Sequence, residues 1–224
     1  MTAGKLKRNR SKAKLISTKE KLILAGIELF SKYGFDATTT RMLAEAVGSN
    51  NAVVYSHFGT KENLYEEVLK SVAENIRTTY EPLQNDIAVT RQKGPMKPNT
   101  AWDFIEKYID MYINIIKDPT SSHTLYLLLH EQLNPVNNQR PLTKVACQEG
   151  EQMLSLLLLD YWQTSQPDAA AIASRLTTSA LIALAEHPSF VRLALGMGPE
   201  APIPEPVWDT IRNFVLTSLK TYHP

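Results

Sequence analysis

With 224 residues, 43% of them hydrophobic and 21% charged, the chain has the balance of a folded, soluble protein, which excludes a disordered one. Its single cysteine, Cys147, excludes an intramolecular disulfide framework and fits a reducing cytosol, so a cytoplasmic location is expected. The net charge of +1 hides an asymmetry: residues 1–60 carry ten Lys and Arg against four Asp and Glu, whereas the rest carries fourteen against nineteen, a basic head on an acidic body.

Residues 1–16 read as a flexible basic arm, charged from Lys5 to Lys14, without the apolar stretch of a secretory signal. Helical periodicity then takes over. Ser17-Thr18-Lys19-Glu20 has the form of a capping box, in which Ser17 caps free N–H groups and Glu20 reaches back. Leu22, Ile23, Ile27 and Phe30 recur at helical spacing, and Tyr33-Gly34-Phe35 is expected to end the first helix with Gly34 in the left-handed position. Thr39 suits the N-cap of a short helix from Thr40 to Val47, whose Leu43 and Val47 share a face and which Gly48 closes. After a weakly helical stretch to Phe58, Gly59-Thr60-Lys61-Glu62 opens a fourth helix with apolar positions at Leu64, Val68, Val72 and Ile76.

From Pro82 to Asn99 the pattern lapses, and a loop or loose connection is expected. A second helical block follows: Trp102 to Ile116, Ser122 to Leu133, a break from Pro135 to Pro141, then a long helix from Leu142 to Trp162. Pro167 suits the first turn of a helix to Glu186, His187-Pro188 breaks the chain, Phe190 to Leu195 is a short turn and Gly196 to Pro206 a loop. Trp208 to Tyr222 is the last helix. No apolar run reaches the length of a membrane span, so no membrane partner is expected. The chain therefore reads as all-α, with about ten helices: the arm over 1–16, a helix-turn-helix DNA-binding domain over 17–62 and a helical body over 63–224.

Two short helices joined by a tight turn at Gly48 match the helix-turn-helix layout. Leu43, Ala44, Val47, Val54 and Phe58 form one apolar face, which leaves Asn51, Ala52, Val53, Tyr55, Ser56 and His57 to point elsewhere. Asn50 sits where an N-cap is needed, and the short side chains beside it allow close approach to base edges. Asn51 suits the N6 and N7 edge of adenine, and Val53 a thymine methyl. Thr39 and Arg41, at the start of the preceding helix, are placed to reach the phosphate backbone. The arm could follow phosphates or enter a minor groove.

The stretch from Lys21 to Leu69 resembles the N-terminal domain of the TetR family of bacterial transcriptional regulators. The matching residues are Ile27-x-x-Phe30, Gly34-Phe35, Ala37-Thr38-Thr39, Leu43-Ala44, Gly48, Tyr55-x-His57-Phe58 and Lys61-Glu62-x-Leu64, at ungapped spacing. Two positions depart from the family pattern: Gly26 stands where Ala is usual, and Ser49-Asn50-Asn51-Ala52 replaces Val-Ser-x-Gly. The resemblance implies phosphate contacts by Tyr55, His57 and Lys61, an operator of double-stranded DNA, a small-molecule effector in the body and a homodimer. Leu129-His130-Glu131-Gln132-Leu133-Asn134-Pro135 also resembles the R-E-x-L-x-P element of CecR-like members, with His130 where Arg is usual. Trp102, Tyr108, Tyr112, Tyr126, His130, Met153 and Trp162 are the candidates for lining an effector cavity. The helix over 168–186, rich in Ala, Ser and Thr, would pair with 207–222 as half of an intersubunit four-helix bundle.

Gly196 to Ala201 spells the letters of a dinucleotide fingerprint, but no strand precedes it and Pro199, Pro202, Pro204 and Pro206 keep a helix from opening there. His123, His130, Glu131 and Cys147 fit no zinc spacing, and Cys147 reads as a small core residue. With no nucleophile elbow, phosphate-binding loop or HExxH, no enzyme activity, cofactor or metal is expected. The residues and the resemblance together suggest a ligand-responsive repressor released from a pseudo-palindromic operator by a small molecule. The alternative is an all-α small-molecule-binding protein or enzyme whose basic N-terminus is only a solvated tail.

Overall fold

The computed structural model describes residues 16–224 except 119–120, 134–135, 137–139 and 187. Lys5 to Lys14 of the expected arm, Asn134 and Pro135, His187 and the Cys147 side chain lie outside the described residues. Every regular element among the described residues is helical.

Helix α1 (Thr18–Ala37) starts on the capping box: Glu20 N donates to Ser17 Oγ at 3.2 Å, and Ser17 N to Glu20 Oε2 at 2.7 Å. Gly34 does not end this helix in the left-handed conformation, as the sequence suggested. It takes φ 76° and ψ 175°, a region almost exclusive to glycine, and bends α1 so that a last turn runs on to Ala37. Thr38 holds that turn, its hydroxyl 2.8 Å from the Gly34 carbonyl and 3.1 Å from that of Leu29.

Helix α2 (Thr40–Ala46) is capped by Thr39, whose Oγ1 accepts from Met42 N at 3.2 Å. It closes on Gly48 at φ 67°, with Gly48 N donating to Glu45 O and Ser49 N to Ala44 O; this nested pair satisfies the last carbonyls. Helix α3 (Ala52–Phe58) follows, and Gly59 at φ 77° turns the chain into α4 (Lys61–Arg91), capped by Thr60.

Of the loop expected over Pro82–Asn99, the first ten residues, Pro82–Arg91, are instead the end of α4, and the connection to the next helix is confined to 92–97. Pro82 is exposed and removes one backbone donor, whereas Tyr80 and Ile87, two turns apart, stay buried on one face. Arg91 fixes the end, 3.0 Å from the Asp160 carboxylate. Tertiary packing outweighs the local signal.

The body contains α5 (Pro98–Lys117), α6 (Ser121–Leu133), α7 (Pro141–Thr143), a π-helical stretch (Lys144–Glu151), α8 (Gln152–Trp162), α9 (Pro167–Glu186), α10 (Pro188–Ala194) and α11 (Glu205–Thr221). The long helix expected from Leu142 is thus helical throughout but widens in its middle. There Gly150 makes room for the Tyr80 ring, since a Cβ at that position would lie 2.9 Å from Tyr80 Cε2. One core runs from Leu22 and Phe30 through Val68 and Tyr80 to Ile109, Leu157 and Trp208. Among the described residues no single helix is long and apolar enough to cross a membrane.

Candidate nucleic-acid interface and body cavity

Helix α3 is held by its apolar side. Val54 and Phe58 are buried against Leu43 and Ala44 of α2 and the first turns of α4, while Val53 is half-buried. Asn51, Ala52, Tyr55, Ser56 and His57 are exposed, with Tyr55 at 54%. At its start Asn50 Oδ1 accepts from Ala52 N at 3.0 Å, so Asn50 is engaged in capping while Asn51 makes no capping hydrogen bond. Ser56 donates back to Val53 O at 2.9 Å. At its end Asn63 Nδ2 donates to Phe58 O at 2.8 Å, a clamp from α4 that the sequence reading did not anticipate. Its one sequence signal is the position of Asn63 three residues beyond the capping Thr60.

Beside α3, Arg41 is exposed and bonds Glu45 through Nε at 2.7 Å, a pairing that raises its pKa and leaves its other N–H groups available. Thr39 is exposed, with its oxygen accepting from Met42 N. Lys61 is placed differently. Its Nζ donates to Phe35 O at 2.9 Å and Thr38 O at 3.1 Å, and lies 4.1 Å from the Phe35 ring centroid. The ammonium therefore caps the bent end of α1, and one of its three donors is left for a phosphate.

In the body, a cavity of about 900 Å³ lies among α1, α4, α5, α6, the π-helical stretch and α9. Ile27, Val72, Ile76, Leu125 and Ile182 give it apolar walls, and Tyr80 and Tyr112 bond each other through their hydroxyls at 2.9 Å. Burial first, and then the neighbouring Tyr108, keeps the Tyr112 phenol neutral well above the usual tyrosine range.

Of the seven candidates for this cavity, Tyr112 is in its wall. Tyr108 is fully buried behind it, the two rings 5.0 Å apart, and Met153 is buried in the core. Neither of these two lines the cavity, and the structure places the other four away from it. Trp102 packs on Tyr161 at 4.7 Å beneath Lys220, and Trp162 donates from Nε1 to Leu219 O at 3.2 Å, both near α11. Tyr126 is exposed on α6. The His130 ring lies against Gly34, and the next residue, Glu131, is 1% exposed. Glu131 accepts from Leu142 N, Thr143 N and Thr143 Oγ1 at 3.0, 2.7 and 2.6 Å, a carboxylate cap on the first turn of α7.

The sequence pattern of the family described as "Bacterial regulatory proteins, tetR family" matches residues 22–68. The chain is 28% identical over 109 residues to the biofilm operon icaADBC HTH-type negative transcriptional regulator IcaR of Staphylococcus aureus (strain Newman), covering 45% of this chain and 55% of that protein. It is 26% identical over 129 residues to the HTH-type transcriptional regulator RutR of Escherichia coli (strain K12), covering 57% and 55%. The chain thus spans about half the length of the curated relatives it matches. Among solved structures, HlyIIR, a hemolysin II transcriptional regulator, aligns over 91% of this chain and 97% of its own at a TM-score of 0.59 and 15% identity. Mycobacterium smegmatis AmtR aligns over 97% and 92% at 0.59 and 20% identity. At these identities the two share the fold.

Proposed function

Because the chain belongs, through residues 22–68, to the TetR family of bacterial regulatory proteins, we propose that it is a dimeric DNA-binding transcriptional repressor controlled by a small molecule. The observation that carries this reading is α3: its inner face is locked into the head while Asn51, Ala52, Tyr55 and His57 stand free outside. In this reading the head spans residues 17–62 and the body 63–224, with α4 joining them. Two α3 helices enter successive major grooves of a pseudo-palindromic operator in the bacterial cytoplasm. The name of IcaR as a negative regulator favours repression.

Dimerisation through α9 and α11 is supported by what these helices leave outside. Leu176 and Phe214 are 66% and 74% exposed, and an apolar groove lined by Ile172, Leu176, Leu219 and Tyr222 runs between the helices. The body cavity supports an effector site, its volume being in the range that holds drug-sized molecules.

Within the DNA face, Asn51 reads base edges with Val53 packing beside it. Tyr55 and His57 hold phosphates, joined by Thr39, Arg41 and the third donor of Lys61. Binding to single-base variants of a duplex selected from a random pool tests this division. Asn51→Ala should flatten the preference at one position, worth about 1–3 kcal/mol there. Tyr55→Phe should weaken all variants by a similar factor. Identical profiles for the two substitutions would refute the assignment.

A further inference from the structure

One hydrogen bond ties the cavity wall to the head. His123, on α6, lines the cavity, and its Nδ1 is 2.6 Å from Oγ of Ser31, which is buried on α1. Two turns further along α6, the His130 ring rests on Gly34, so α6 touches α1 at a polar point and at a steric one. The α1 end beyond Gly34 is tied to α4 by Lys61, so a shift of α1 is passed to the elements that hold α3. Ser31 also has a second partner, the Glu28 carbonyl at 2.9 Å. The bond to His123 can therefore open without orphaning a buried hydroxyl.

The wall also limits what can enter. Three charged side chains border the cavity. Asp110 is held by Arg212 in a two-point pair of 2.5 and 3.0 Å, and Lys107 and Asp118 are exposed. None is both buried and uncommitted, so a charged group carried into the buried part of the cavity would lose its hydration with no buried counter-charge to replace it. Hydroxyl, amide and imidazole groups remain, supplied by Thr79, Asn75, Asn114 and His123 against apolar walls.

Resting on the regulator reading above, we propose that the effector is an uncharged, largely apolar molecule with a hydrogen-bonding group that takes His123 from Ser31. His123 is then a positioning residue: its bond to Ser31 holds α1, and hence α3, in the DNA-binding arrangement, and effector entry releases it.

The test uses the full chain, a duplex it has selected from a random pool, and two probes: uncharged Nile red and anionic anilinonaphthalene sulfonate. Nile red should bind the wild type, and Ile76→Phe, which narrows the cavity, should weaken that binding. Saturating Nile red should lower wild-type duplex affinity about five-fold or more; Ser31→Ala, with the latch already open, should bind the duplex several-fold more weakly without dye, bind the dye at least as tightly as the wild type and lose less than about two-fold more on adding it, its circular dichroism showing the helical fold intact. His123→Asn keeps a hydrogen-bonding group on α6 and should keep part of the response. A response in Ser31→Ala as large as in the wild type overturns the latch, as does dye binding to the wild type with no effect on the duplex. Binding of the anionic probe alone overturns the effector class. A wild type that selects no duplex sinks the regulator reading itself, and this inference with it.

Discussion

At Gly26, α1 and α4 meet with no room for a methyl group: a Cβ there would lie 2.6 Å from Val68 Cγ2. Val68 is β-branched and buried, so it cannot swing away. This accounts for a glycine in a helix interior where family members usually carry alanine. Gly26→Ala should lower unfolding free energy by about 1–2 kcal/mol, overpacking outweighing the gain in helix propensity. In a Val68→Ala background the same change should stabilise, because the new methyl fills the vacated space. Urea unfolding of the four proteins checks the reversal of sign; a Gly26→Ala that stabilises in both backgrounds would show that the contact is not limiting. Tyr65 supplies a pH-dependent counterpart. Burial first, and then the nearby Glu131, pushes its phenol up from 10.0 to about 12, and its hydroxyl is buried without a partner. A raised folded-state pKa means that the folded chain holds the proton more tightly than the unfolded chain. The associated stability is complete below about 10 and is lost as pH rises towards about 12. Tyr65→Phe should thus be close to neutral or stabilising at pH 7 and decline less steeply over that alkaline window; an unchanged slope in urea titrations would refute it. Much of the head's surface was legible at this scale, because capping and helical spacing decide which side of α3 is buried. The engagement of Lys61 was not legible, since its partners are carbonyls 23 and 26 residues away.

Among the elements, α4 departs furthest from local rules. Its Pro82 lacks an N–H and crowds the preceding turn, yet the helix continues to Arg91 because Tyr80, Ile87 and the Arg91–Asp160 pair are anchored in the body. Sequence periodicity cannot report such an anchor, which lies in α8 and only exists once the body has folded. Pro82→Ala removes an exposed ring and restores a backbone donor, so it should stabilise the protein by about 1–3 kcal/mol. A raised melting temperature is the expected readout; a lowered one would mean that the packing of α4 requires the proline. The π-helical stretch was hidden for a related reason, since its widening answers the Tyr80 ring on another helix and not the residues of its own turn. By contrast the Ser17 box, the Thr39 cap and the Gly48 turn are encoded within a few residues of each other and could be read directly.

For the whole molecule, the charge is uneven along the chain: the excess of base in the first sixty residues falls in Lys5 to Lys14, outside the described residues, whereas 16–60 balance four Lys and Arg against four Asp and Glu, and the acidic remainder builds the body with its cavity and its apolar outer helices. The aromatic residues picked as cavity lining scattered instead, Trp102 and Trp162 to α11 and Tyr126 to the surface, because residue type alone does not say which helix a ring packs against. In the proposed function this chain recognises a specific duplex through phosphates and base edges. The most direct test is the affinity of the full chain for a duplex selected from a random pool, compared with a scrambled one, as salt rises from about 50 to 200 mM. A selected inverted repeat bound by two protomers is expected, with affinity falling by about 10³-fold or more over that range if six or more phosphates are engaged. No enriched sequence, or an affinity indifferent to both salt and sequence, would contradict it.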